Sequence, residues 1–495
     1  MNYEKNFRGF EIPFMMLTCI FGFNQIMRGY YFMGYQAIFW FILAAVVFFI
    51  PFSFMMSEFS FSFKNHNGIY DWMQNLIGSR WAFIVTFLWY TSYLIWMVNT
   101  AFTIWAPLPG LFSSSQERFE MLGISNAQLF GILGWTFFLI IFIITSRGLK
   151  SIMRATLIGG IINIILNVML FLIGITILIV NKWEALYEIK HFVLPSFNID
   201  FQGIVPMLSF FTLTILAFGG IETVISFVSQ VEGSIEKIFK WFIGSILVIP
   251  LLYIIGIFAV ESVVDWNSVL ANSEVNSGNF IYIVIKNLGY ELGMALGFRE
   301  STCLQVGMFL MRYVGVSMFI SLSAAMVIFS YAPLKQLIEG TPRQIWPKSF
   351  VRYQRGTPIS AMAFQTVVCI VLILTVSFGG NAATYLFDKL LLMTGISGAI
   401  PTIFLVSSFI IFRFIKKEGR TFVIYKNKWF TLMISIVAIC AITFASLFTI
   451  INPLLNHDYQ TFGWIVSGPI FFGVISNLIY SRYQRTYVNR FKNKR

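Results

Sequence analysis

Apolar runs long enough to cross a bilayer recur from one end of this 495-residue chain to the other. About 20 consecutive apolar residues span a hydrocarbon core, and a 19-residue window finds about 12 such runs. They cover 10–33, 37–59, 81–105, 127–145, 155–180, 205–230, 239–260, 303–332, 359–378, 386–412, 429–451 and 462–480. Lipid offers the backbone no hydrogen bonds, so runs this long and continuous become helices. With 58% hydrophobic and 11% charged residues, the composition settles the class. The expected fold is an all-α integral membrane protein, with 1–495 as a single transmembrane unit. The first run holds Pro13, Asn24 and Gln25 and lacks a small-residue cleavage site, so it reads as a span and not as a removable signal peptide.

Charge orients the spans. With the amino terminus inside, Lys5, Arg8, Lys64, Arg80, Arg147, Lys150 and Arg154 face the cytoplasm. The clusters 335–355, 413–428 and 482–495 join them, whereas Glu184, Glu188, Asp200, Glu261, Asp265, Glu274 and Asp458 fall outside. This is a positive-inside pattern with both termini cytoplasmic. The net charge of +13 then reflects topology and anionic lipid headgroups, and nucleic acid need not be a partner. Cys19, Cys303, Cys369 and Cys440 show no paired spacing and read as buried free thiols. His66, His191 and His457 are scattered, so no metal site is spelled out. The connection 261–302 contains an apolar stretch broken by Lys286 and Glu291, expected as short helices over the external mouth.

Two runs carry features a plain span has no use for. The run 205–230 holds Gly219-Gly220 and then Glu222. Glycines free the backbone from helical geometry, and a carboxylate in lipid costs at least roughly 2.5–3.5 kcal/mol. Non-helical backbone at such depth survives only where protein buries it or water lines it. The first run has Phe21-Gly22-Phe23-Asn24-Gln25 in mid-membrane, with Arg28 a turn further on. If 10–180 and 205–412 are halves of opposite topology, the two interruptions correspond, which points to a transporter's midplane site. Unwound N–H groups and a half-helix amino terminus suit an anion. Freed carbonyls, or Glu222, suit an ammonium or a proton. The plainer alternative has the glycines packing on a neighbouring helix and Glu222 in a wet vestibule.

Glu222 has two open roles: burial favours a proton carrier, and a nearby cation favours a fixed counter-ion. Arg28, Arg312 and Lys389 are the candidate cations. Arg28 is preferred because it follows the first break directly; Arg312 also reads as snorkelling outward, and Lys389 as a surface partner of Asp388. Trp89, Tyr90, Tyr93 and Trp96 lie at helical spacing. Tyr93 and Trp96 are candidates for a chamber wall, and the same stripe also reads as helix packing or an interfacial belt.

At these residues the chain resembles the amino acid–polyamine–organocation superfamily, and within it the glutamate:γ-aminobutyrate antiporter group. Phe218-Gly219-Gly220-Ile221-Glu222 resembles the sixth-span motif, and Asn67-Gly68-Ile69-Tyr70-Asp71-Trp72 the cytoplasmic signature after the second span. Further similar stretches are Tyr331-Ala332-Pro333-Leu334-Lys335 and Ser377-Phe378-Gly379-Gly380. The resemblance implies a five-plus-five inverted repeat working by alternating access, with spans one to five in 10–180 and six to ten in 205–412. Two added helices at 429–481 and a basic cytoplasmic tail at 482–495 complete it. It further implies that Ile20, Phe21, Gly22, Phe23 and Asn24 take a substrate's carboxylate, and Phe218, Gly219, Gly220 and Ile221 its amino group. The chain departs from the pattern in having only Gly22 in the first break and Asn67 in place of a glycine.

The expected function is a secondary active transporter in the bacterial cytoplasmic membrane, moving an amino acid or related amine as an antiporter or proton-coupled permease. The alternative is an amino-acid sensor or a channel built on the same fold. Its partners are a small-molecule substrate and membrane lipid, with no cofactor and no metal. No nucleotide-binding loop appears, so energy comes from gradients or exchange. An intramembrane enzyme would need groups converging on Glu222 that no neighbouring run offers.

Overall fold

A computed structural model describes residues 7–62, 68–105, 126–181, 203–225, 227–261, 280–354, 356–414 and 423–488. Among them, eleven helices are long and apolar enough to cross a membrane, and a shorter apolar helix, Glu11–Ile20, precedes them. Asn67, the acids between 182 and 202 and between 262 and 279, and the tail beyond 488 lie outside the described residues.

The first span is two helices, α1 (Glu11–Ile20) and α2 (Phe23–Met33), split at Phe21-Gly22. Then come α3 (Gln36–Ser62, with a π-turn at Ala45–Phe49), the short α4 (Ile69–Ile77) and α5 (Ser79–Thr103). Next are α6 (Asn126–Ser146) and α7 (Leu149–Val180). The sixth span is also split, into α8 (Ile204–Ala217) and the five-residue α9 (Ile221–Ile225), which a 3-10 turn at Val228–Gln230 follows. After it come α10 (Ile235–Glu261), α11 (Phe280–Ala295), α12 (Glu300–Gly340), α13 (Ile359–Phe378), α14 (Gly380–Phe414), α15 (Lys428–Leu455) and α16 (Tyr459–Tyr483). The expected short helices of the 261–302 connection appear, within the described residues, as the single helix α11, packed along α12.

Small residues set the central packing. A Cβ at Gly160 of α7 would sit 2.6 Å from the Phe14 carbonyl oxygen of α1, so only glycine lets the two backbones approach this closely. Thr18 donates to the Thr156 carbonyl at 2.7 Å, and Ser321 of α12 donates to Asn163 at 2.8 Å. Thus α1 is pinned between α7 and α12. Apart from an isolated antiparallel bridge between Gln354 and Thr357, the β structure among the described residues is a two-residue parallel pairing, β1 (Phe7–Arg8) with β2 (Val231–Glu232). It joins the chain entering the first split span to the chain leaving the sixth.

Two charges assigned to cytoplasmic clusters are buried instead. Lys335 continues α12 past Pro333, 3% exposed, with Nζ 3.8 Å from Glu339 and over the rings of Phe227 and Tyr331. Arg413 pairs with fully buried Glu58 at 3.1 Å and donates to the Tyr425 carbonyl, and Ile424 N–H donates to Glu58 at 3.0 Å. A proline or an arginine near the end of an apolar run reads as its boundary; here partners on other helices satisfy the charge and the run continues. Cys19, Cys303 and Cys369 are buried free thiols as expected, but Cys440 is exposed.

Candidate functional site

The first break is held open by a side chain from another span. Gly22 N–H donates to the Tyr253 hydroxyl at 3.1 Å, and that hydroxyl donates to the Ile20 carbonyl at 2.9 Å. Tyr253 of α10 therefore replaces the two backbone bonds a continuous helix would make. Removing the hydroxyl strands both groups in a buried place, a cost of about 1–3 kcal/mol. Tyr253→Phe is expected to lower the melting temperature of the solubilised protein; unchanged melting would contradict this bridging role.

The second break touches the first. Gly220 has φ +115, and a Cβ there would lie 2.9 Å from the Cys19 carbonyl oxygen at the end of α1. The carboxylate of Glu222, 6% exposed, sits just beyond. Its Oε1 accepts from Trp89 Nε1 and from the Tyr93 hydroxyl, each at 3.1 Å, two residues one turn apart on α5. Its Oε2 has no hydrogen-bond partner among the described residues. Gln336 of α12 supports the same turn from below: its amide donates to the Glu222 main-chain carbonyl at 3.1 Å and accepts from Ile69 N–H of α4 at 3.2 Å.

A cavity of about 470 Å³ opens where the breaks meet, large enough for a small organic molecule. Ile20, Phe21, Gly22 and Asn24 line it from the first break, and Gly219 and Glu222 from the sixth. Tyr93 and Trp96 form a wall against Phe329, with ring centroids 4.9 and 5.1 Å from it. Phe23, Phe218, Gly220 and Ile221 stand behind this surface: Phe218 is packed between Phe49 and Tyr253, and Gly220 sets the backbone path. Tyr90 faces elsewhere, donating to Gln365 at 3.0 Å.

The proposed cations are not brought to Glu222. Helix α2 carries Arg28 a turn beyond Asn24, where its side chain is exposed and makes no ion pair with Glu222. Arg312 is exposed on α12, and Lys389 lies 4.6 Å over the Tyr385 ring. What the sequence reading missed is Trp89, Tyr253 and Gln336 as partners of the two breaks. The aromatic stripe signalled Trp89, but Tyr253 stands alone in an apolar helix and Gln336 sits beside Lys335 in a stretch read as a cytoplasmic cluster. No group of three potential metal ligands converges among the described residues.

Residues 9–475 match the family described as Amino acid permease. The chain is 37% identical, over 474 residues, to the protein named inner membrane transporter YjeM of Escherichia coli, covering 95% of this chain and 94% of that one. It is 21% identical over 240 residues, 48% of each chain, to the probable agmatine/putrescine antiporter AguD of Lactococcus lactis. Among solved structures, MhsT in complex with L-phenylalanine superposes with a TM-score of 0.58 at 15% identity, covering 91% of this chain and 100% of that one. A Na+-coupled sialic acid symporter in a substrate-bound outward-open state gives 0.53 at 13% identity, covering 91% and 90%. These two likenesses show the fold, an inverted repeat built round broken first and sixth spans, while kinship rests on the family match and the 37% identity. The chain belongs to the amino acid permease family of membrane transporters.

Proposed function

We propose that the protein exchanges or imports an amino acid or related amine across the cytoplasmic membrane by alternating access, with both termini in the cytoplasm. The substrate sits between the two breaks. Its carboxylate, where it has one, meets the opening N–H groups of α2 at Phe23 and Asn24, at the positive end of that half-helix. Its ammonium meets the carbonyls freed after α8 near Gly219, together with Glu222. Membership of the glutamate:γ-aminobutyrate antiporter group, and the division into repeats at 10–180 and 205–412, belong to the same proposal.

The observation that supports this reading most is Glu222 Oε2: nearly sequestered from solvent, without a partner among the described residues, on a carboxylate that lines the cavity at the junction of the breaks. Such a group is costly unless something binds it. A proton between transport events and an ammonium during them both meet that need. The agmatine/putrescine antiporter named above is a relative whose substrates carry amines, which fits an anionic site.

The test is counterflow into proteoliposomes preloaded with single amino acids, γ-aminobutyrate or polyamines. At least one amine-bearing compound is expected to drive uptake of its labelled form above protein-free vesicles. Uptake of none, by a protein shown to be folded, would contradict the proposal.

A further inference from the structure

A groove of about 620 Å³ between α5, α14 and α16 shares no lining residue with the central cavity. Its walls are apolar, with Ile84 and Leu88 on α5, Phe404 on α14, and Ile470 and Val474 on α16. Ile470 and Val474 are 61% and 52% exposed, so the groove opens sideways from the bundle, where a membrane protein meets lipid. Gly473 leaves its floor low: a Cβ added there would meet no atom within 4 Å.

One end is cationic. Arg80, exposed at the start of α5, donates from Nε to Asn477 at 2.8 Å and from Nη2 to Ser481 at 3.1 Å. Those bonds orient the guanidinium and leave Nη1 without a partner among the described residues. Beside it Trp81, 57% exposed, stacks on Phe404, the usual place of an indole at headgroup level. From Arg80 to Leu88 the groove follows α5 for about 12 Å. The antiparallel α16 lines it over the same depth, from Asn477 back to Pro469. One leaflet offers about 15 Å of hydrocarbon. A chain anchored at Arg80 therefore runs most of the depth of one leaflet.

We propose that this groove binds an anionic phospholipid, its phosphate on the Arg80 guanidinium and an acyl chain along α5 and α16. A planar guanidinium held by two neighbours is suited to phosphate oxygens. The positive-inside reading puts Arg80 at the cytoplasmic leaflet, where anionic headgroups concentrate. The site is separate from the substrate cavity, so its failure would leave the transport proposal untouched.

The test is native mass spectrometry of the full chain in detergent with equimolar phosphatidylglycerol and phosphatidylcholine of the same acyl chains. Phosphatidylglycerol is expected to be retained about fivefold better, the worth of one arginine near an anionic headgroup. Arg80→Gln should bring the two lipids to parity, and Gly473→Phe, which fills open space, should reduce retention of both. Equal retention by the native protein, or an unchanged preference in Arg80→Gln, overturns the proposal. So does a dimer that Gly473→Phe dissolves without any change in lipid, since the groove would then be a contact between copies. Displacement of phosphatidylglycerol by millimolar inorganic phosphate alone would overturn the role of the acyl chain.

Discussion

Gly220→Leu is expected to abolish transport while leaving insertion and helical content intact. At φ +115 a side chain is strained by about 1–3 kcal/mol before any contact is counted. Here a Cβ also meets the Cys19 carbonyl oxygen at 2.9 Å, in backbone that cannot swing aside as a flexible side chain would. The strain is relieved only by separating the end of α1 from the start of α9, which pulls apart the two breaks that frame the cavity. Gly219→Ala provides the contrast, because its nearest neighbour is the Leu216 carbonyl at 3.3 Å and its φ is ordinary. It should retain measurable flux in the same proteoliposome assay. Normal flux in Gly220→Leu, with insertion confirmed by protease accessibility, would remove the breaks from the transport site.

The second large effect is Glu222→Gln. Glutamine keeps a side-chain oxygen able to accept from Trp89 and Tyr93, so the local packing survives. What changes is the unpartnered, buried atom, from an anionic oxygen to a neutral amide. A charge-assisted hydrogen bond is worth about 1.5–3 kcal/mol, so affinity for an amine should fall about tenfold to a hundredfold. Uptake should also stop responding to an imposed proton gradient, measured as flux at fixed internal and varied external pH. A gradient response equal to that of the native protein would exclude Glu222 as the proton carrier.

Much of this architecture was legible in the residues, for a physical reason. A bilayer leaves continuous apolar runs one option, and it makes any glycine pair or carboxylate inside them conspicuous. Gly22, Gly219-Gly220 and Glu222 stand out on that ground; Gly22, Gly219 and Glu222 line one cavity, and Gly220 sets the backbone path behind it. Contacts between distant spans are another matter. Trp89 and Tyr93 reach Glu222 across more than a hundred residues of sequence, and their stripe reads either as a chamber wall or as ordinary packing, with nothing in it to name Glu222 as their partner. Tyr253, bridging the first break, is one hydroxyl in an apolar helix, and nothing nearby in the chain marks it.

Proximity in sequence also misled. Arg28 follows the first break and so looked like the partner of Glu222, but five residues of helix separate it from Gly22, and it does not line the cavity. Lys335 and Arg413 read as loop charges because a charge next to an apolar run usually ends it. In the folded protein aromatic rings and Glu339 satisfy Lys335, and Glu58 satisfies Arg413, which only the tertiary packing reveals.

In the proposed mechanism the substrate lies between the two breaks with its amine at Glu222. The most direct test is an experimental structure of the protein with a transported amine or amino acid bound. Ligand density is expected to be bordered by Gly22 and Gly219, with a nitrogen within hydrogen-bond distance of Glu222 Oε2. Density elsewhere in the bundle, with that oxygen still unpartnered, would contradict that mechanism.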